Sequence, residues 1–206
     1  MDSNNLIIGV TGGVGSGKST FVRLLKNNGA DTLDVDVIAK QLTDEREAIR
    51  NDIRDKFGES YFNPEGRLRR RELGQLVFSD SQKLKKLNAI LWTPMLKQLK
   101  HEIESWQSRN TGSILVVDMA VLFEARAESM FDQTILITAS EIIRIERLRL
   151  SRDWTDQEIC DRMRSQLSDT EKWNRADFII QNDDSVESLE VQAKSLIQKW
   201  KQSILN

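Results

Sequence analysis

The chain has 206 residues, with 30 lysines and arginines against 32 aspartates and glutamates, a formal net charge of −2. Hydrophobic residues make up 39%, with seven Phe, five Trp and only two Pro, which supplies the core of one folded domain and argues against a disordered or fibrous chain. No stretch approaches the ~20 apolar residues of a membrane span, and the start, MDSNNLIIGV, has no basic region ahead of its short apolar run, so neither membrane insertion nor secretion is expected.

Cys160 is the single cysteine and His101 the single histidine. The first leaves no internal disulfide and points to a reducing compartment, the cytoplasm by default. The second argues against a His-ligated metal centre. The near-neutral charge balance provides no global field for drawing in nucleic acid, so no nucleic-acid partner is expected.

Residues 6–10, LIIGV, form an apolar, β-branched run that stops at a glycine-rich turn, as a buried parallel strand does. From Lys18 the pattern changes to a helical stripe of Phe21, Leu24 and Leu25, closed by Gly29. Short apolar runs recur at 32–35, 114–117, 134–137 and 178–180, separated by helical pattern. Strands alternating with helices predict an α/β fold with a parallel sheet. The segment from about 44 to 110 holds no good strand candidate and is too long for one crossover helix, so it is read as a helical insert. Within it NPEG at 63–66 is a turn, Leu68, Leu73, Leu76 and Val77 mark one helix, and Leu84, Leu87, Ile90 and Leu91 mark another. Thr93 as N-cap and Pro94 at the first helical position are then expected to start a third, with Leu96, Leu99, Ile103 and Trp106 as its apolar face.

Gly12-Gly13-Val14-Gly15-Ser16-Gly17-Lys18-Ser19 satisfies G-x-x-x-x-G-K-[ST] between a predicted strand and a predicted helix, the context a phosphate-binding P-loop requires. The backbone N–H groups from Gly13 to Thr20 would curl around a phosphate at the positive end of the helix dipole. Lys18, on an exposed loop, would place a charge between the terminal phosphates of ATP, and Ser19 would offer a hydroxyl to Mg²⁺.

Asp34 and Asp36 follow the second strand, at the carboxyl edge where open α/β sheets bind ligands. Asp36 has two readings: a carboxylate that takes or orients the proton of an attacking hydroxyl, or the N-cap of a helix over 37–42. Asp118 closes ILVVD and is either a magnesium ligand through water or a turn former. Arg144, Arg147, Arg149, Arg152, Arg162 and Arg164 lie in a stretch without lysine, which suits bidentate phosphate contacts. Acidic neighbours such as Asp156 could equally pair with them, so one or two are expected at ATP and the rest at the surface.

The ordered set TGGVGSGKST (11–20), DVDVIAKQL (34–42), FGESYFNPEGRLRRRELGQLVF (57–78), LNAILWTPML (87–96), DMAVLFE (118–124), LSRDWT (150–155) and EKWNRADFIIQNDDS (171–185) resembles the dephospho-coenzyme A kinases. The resemblance implies transfer of the ATP γ-phosphate to the ribose 3′-hydroxyl of dephospho-coenzyme A, a small-molecule acceptor. It implies a five-stranded parallel P-loop kinase core (about 1–43, 111–143 and 174–206), a helical substrate insert (44–110) and a helical lid (144–173). By position Asp36 resembles the acid beside the attacking hydroxyl. Arg70 matches an arginine of the substrate segment, and Asn182 falls in the loop near the adenine.

Some positions depart from the family pattern: Thr93-Pro94 stands where His-Pro is usual, which makes Thr93 the stand-in for a substrate contact. Ala120 replaces a proline and Asp184 a glycine. The lid arginines, usually four apart, are here Arg147 and Arg152, five apart. On a straight helix that separation turns them ~140° away from each other. The expectation is that Arg147 reaches the phosphates from a helix ending near Leu150 and that Arg152 reaches them from the loop beyond, with Arg149 as the competing candidate. The nearest rival is a kinase of nucleosides, nucleotides or shikimate-like acceptors. A nucleotide-driven switch or motor is a different class, and no N-K-x-D guanine-reading string supports a GTPase.

Overall fold

The computed structural model describes residues 4–205, so residues 1–3 of the start considered above lie outside it, as does residue 206. The elements run β1 (Leu6–Gly12), α1 (Lys18–Asn27), β2 (Asp31–Asp34), α2 (Val35–Glu45), α3 (Glu47–Phe57), α4 (Arg70–Phe78), α5 (Ser81–Arg109), β3 (Ile114–Asp118), β4 (Gln133–Thr138), α6 (Glu141–Ser151), α7 (Asp156–Arg164), α8 (Asp169–Trp173), β5 (Phe178–Gln181) and α9 (Val186–Leu205). The five strands form one sheet in the order β2-β3-β1-β4-β5, parallel at every pairing. This is the α/β parallel architecture that the alternating pattern predicts.

Side chains of the inner strands are apolar on both faces, so both faces must be covered. On one face Ile8, Val10, Val116, Ile135 and Ile137 pack against α1 and α9, with Phe21 and Trp200 as the largest buried groups. On the other, Ile7, Leu115 and Val117 share a single buried cluster with Ile38, Ile53, Leu73, Met95 and Leu99 from α2 to α5. The helices of 44–110 thus build onto the sheet's own core. Register then sets the site: Val10 and Asp34 both lie opposite Asp118, so the ends of β1, β2 and β3 deliver the glycine loop, Asp36 and Asp118 to one edge.

Two local expectations change. β2 stops at Asp34, and Val35 already belongs to α2, because the Asp34 carboxylate accepts from the Asp36 backbone N–H at 2.8 Å and caps the helix. Asp36 is therefore inside the first turn, and the cap reading of that residue is overturned. Asp34→Ala should cost about 1 kcal/mol in chemical unfolding, the typical worth of such a cap.

The break expected at Thr93-Pro94 is also absent: α5 is one helix of 29 residues with Pro94 inside it. An internal proline removes one backbone bond and crowds the carbonyl four residues earlier, a cost of ~3 kcal/mol. Continuity across it lets Leu84, Leu87, Leu91 and Trp92 on one side and Met95, Leu99 and Ile103 on the other pack against the same cluster. Burial of several such side chains, ~1.5–3 kcal/mol each, outweighs the lost bond. Leu68 also falls outside α4, in a bridge with Phe62.

Candidate active site

The loop between β1 and α1 turns through glycines that only glycine tolerates without strain. Gly15 (φ 80°) and Gly17 (φ 90°) are left-handed, and a Cβ on Gly17 would run into the Asn182 amide. That amide donates to the Ser16 carbonyl at 2.8 Å. Asn182 is buried and braces the loop from the end of β5. The outer side is held by Arg144, whose Nε donates to the Val14 carbonyl at 2.9 Å and whose guanidinium pairs with Asp169 at 3.2 Å. Arg144 is buried, so it is neither of the kinds of arginine anticipated from the sequence.

Lys18 forms an ion pair with Asp118, and both side chains keep only about a tenth of their surface exposed (12% and 10%). Burial lowers the Lys18 pKa from the usual lysine value, while the Asp36 and Asp34 carboxylates oppose that shift. The positive charge of Lys172 adds to it. Asp36 shows the converse: burial raises its pKa above the ordinary aspartate value, Lys18 opposes the rise and Asp34 adds to it. Water reaches Asp36 through the open mouth of the cleft, but protein surrounds it on its other sides and so penalises the charge.

Residues 12–20 and Asp36 line a cleft of about 950 Å³. The same cleft is lined by apolar side chains of the helical segment, Leu73, Val77 and Phe78 of α4 and Leu84, Leu87, Leu91, Trp92 and Met95 of α5. Arg147, Arg152, Trp154 and Arg162 line it as well. One guanidinium nitrogen of Arg147 is buried there without a hydrogen-bond partner, an arrangement that an incoming anion would satisfy. Arg149 points elsewhere and pairs with Asp156 at 2.8 Å on the surface. α6 ends at Ser151, so Arg152 stands outside the helix with extended backbone (φ −134°, ψ 142°), and the mismatch of helical faces does not arise.

Arg70 also lines the cleft, with its guanidinium engaged by Thr43 Oγ1, by Asp44 at 2.8 Å and by the Lys40 carbonyl at 3.1 Å. Thr93 is exposed in mid-α5 and is not among the residues that line the cleft, so the structure does not bring it to the other candidates.

Arg162, one of the arginines of the lysine-free stretch, is held against aromatic rings, and three further residues, Gln166, Glu124 and Lys172, escaped the sequence reading. Arg162 lies 4.2 Å from the Phe78 ring and 4.1 Å from the Trp154 ring. Gln166 Oε1 accepts from the Val14 N–H at 2.9 Å. Glu124, in the cleft wall, sits 3.0 Å from Nζ of Lys172, which is fully buried. Of the three missed residues Glu124 alone carried a signal, an acid closing the apolar run MAVLF.

The model of the family described as dephospho-CoA kinase matches residues 6–188. The chain belongs to that family. It is an enzyme, a P-loop kinase that phosphorylates dephospho-CoA with ATP. A dephospho-CoA kinase from Carboxydothermus hydrogenoformans is 34% identical over 195 residues, covering 95% of this chain and 94% of the relative. The crystal structure of TT1252 from Thermus thermophilus is 32% identical, with a TM-score of 0.75 over 95% of this chain and 97% of that one. A dephospho-CoA kinase from Campylobacter jejuni shares the fold at 20% identity and a TM-score of 0.63, over 97% of this chain and 99% of its own.

Proposed function

We propose that the γ-phosphate is transferred to the ribose 3′-hydroxyl of dephospho-CoA, with Asp36 at that hydroxyl and ATP on the loop from Gly13 to Thr20. The observation that carries this reading is that Asp36 and the loop line one cleft together with the apolar side chains of α4 and α5. In this assignment the 44–110 helices form the substrate segment, 144–173 the lid, and the remainder the core.

The backbone N–H groups of the loop and the Lys18 ammonium hold the phosphates and neutralise charge as it develops. The Asp36 carboxylate accepts a hydrogen bond from the attacking hydroxyl and takes its proton as the new O–P bond forms and the bond to the ADP oxygen breaks. Its raised pKa brings it closer to the operating pH, where a base works best. Arg147 and Arg152 bind the phosphates from the lid, Arg70 contributes to the acceptor wall, and Asn182 keeps the loop in shape beside the nucleotide. Thr93, exposed on α5 away from the cleft lining, takes no part in the acceptor site.

Magnesium fits the donor set. Ser19, in the first turn of α1, lines the cleft and carries an oxygen donor, and Asp118 lies beside Lys18. No group of three or more His, Cys, Asp or Glu suited to a metal occurs among the described residues, which suits an ion held largely by phosphate oxygens and water. Ser19 and Asp118 would hold the ion, which would supply neutralisation of the charge on the transferring phosphate. The acceptor is a small molecule, the free thiol of Cys160 suits the cytoplasm, and no described helix is long and apolar enough to cross a membrane.

Single variants separate the lid arginines. Arg147→Ala should lower phosphoryl transfer by about tenfold or more, as loss of a charge-assisted contact to the reacting phosphate does. Arg149→Ala should stay within about twofold of wild type, since its exposed ion pair contributes little. Steady-state transfer assays on both variants test the assignment; impairment of Arg149→Ala alone would refute it.

A further inference from the structure

Val14 N–H is one of the donors that the glycine loop would offer to a phosphate, and in this structure the donor is taken. Gln166 Oε1 accepts from it at 2.9 Å. Since a backbone N–H can only donate, the side-chain atom facing it must be the oxygen.

Gln166 is held there by its neighbours. The next residue, Leu167, donates its backbone N–H to Glu124 Oε1 at 3.0 Å. The same oxygen lies 3.0 Å from Nζ of the buried Lys172, while Glu124 Oε2 is buried with no hydrogen-bond partner. Asp169, between these anchors, accepts from Thr138 Oγ1 at 2.9 Å and pairs with Arg144. The segment 166–172 is thus pinned to the cleft wall at several points, with the Gln166 amide aimed at the apex of the loop.

We propose that Gln166 is a built-in competitor for the phosphate cradle, occupying Val14 N–H until ATP displaces it, and that Glu124, through its contacts with Leu167 and Lys172, is the positioning residue that aims it. The charge-assisted bond to a phosphate oxygen is stronger than the neutral one to an amide, so ATP wins the exchange. The exchange lowers ATP affinity by the worth of one neutral hydrogen bond, a factor of about three to ten. The proposal rests on the reading of residues 13–20 as the phosphate cradle.

The test is equilibrium titration calorimetry with ATP in the absence of acceptor. Gln166→Ala should tighten ATP binding by about threefold to tenfold. Gln166→Glu should weaken it more than tenfold, because a carboxylate holds Val14 more strongly and repels the phosphates. Replacing both members of the pair (Glu124→Leu with Lys172→Met) removes the acceptor of Leu167 N–H and both buried charges; because Lys172 also bears electrostatically on Lys18, the readout there is the effect of Gln166→Ala within that background. Adding Gln166→Ala to that pair should change nothing further, since Gln166 is then no longer aimed at Val14 and the cycle isolates that coupling. Unchanged or weaker binding by Gln166→Ala overturns the competitor role, and a further change in the triple variant overturns the positioning role. Should the paired variant not fold, amide exchange of the nucleotide-free wild type decides the same point. Val14 and Leu167 N–H are expected to be protected together, and rapid exchange at Leu167 refutes the anchor. Lys18→Met in the same titration is the control for the cradle: unaltered ATP binding there would fail that reading, independently of the result at Gln166.

Discussion

Lys18→Met should lower phosphoryl transfer by about a hundredfold or more, the scale of ~2.7 kcal/mol or above that one preorganised charge contributes to such a transition state. It should also cost stability. From the sequence Lys18 sits on an exposed loop with no structural duty, but its ammonium is the ion-pair partner of Asp118, and both side chains are nearly out of water. Removing the cation leaves a carboxylate with little solvent, which is more costly than losing the attraction alone. We expect a loss of about 2 kcal/mol in chemical unfolding, and the double variant Lys18→Met with Asp118→Asn should recover much of it without recovering turnover. A single variant that keeps more than a tenth of wild-type turnover would contradict the role of Lys18 at the phosphates.

Asp36→Asn should lower kcat by about a hundredfold or more while moving the KM for ATP little, since a positioned base contributes on the order of 10²–10⁴ and the phosphates are held by the loop. Its stability should be at least that of wild type at neutral pH. Asp34, not Asp36, caps α2, and a carboxylate whose pKa is raised by burial is one whose ionised form the fold disfavours. The same shift sets a pH signature. Because the proton is held to higher pH than on an ordinary aspartate, the active, ionised form is lost sooner on acidification. The acid limb of kcat/KM should therefore lie above the usual aspartate range and disappear in the asparagine variant. Loss of thermal stability with turnover intact would instead make Asp36 a structural residue.

What could be read from the sequence was whatever is encoded over a few residues. The glycine loop states its own strand, turn and helix in eight consecutive positions, and the Asp34–Asp36 spacing places a carboxylate at a strand's end whatever the rest of the chain does. Cap assignment was less secure, because both aspartates can cap and only the observed contact selects Asp34. Pro94 misled for a physical reason: its local penalty is real, but the apolar face on either side of it, packed on the shared core, outweighs that penalty. Least legible were the residues that hold the loop from outside. Arg144 reaches Val14 across 130 positions, Gln166 reaches it across 152, and Glu124 meets Leu167 across 43. A buried lysine such as Lys172 has no local pattern that separates it from an exposed one on a polar helix; the fold alone supplies its partner.

The central claim is tested most directly by incubating the purified enzyme with Mg-ATP and dephospho-CoA and following both products by chromatography, with phosphorus NMR locating the new phosphate. The account predicts CoA and ADP in equal amounts, with the phosphate on the ribose 3′-oxygen and its formation slowed about a hundredfold or more in Lys18→Met. ADP released without CoA, or a phosphate placed on another acceptor in preference to dephospho-CoA, would contradict it.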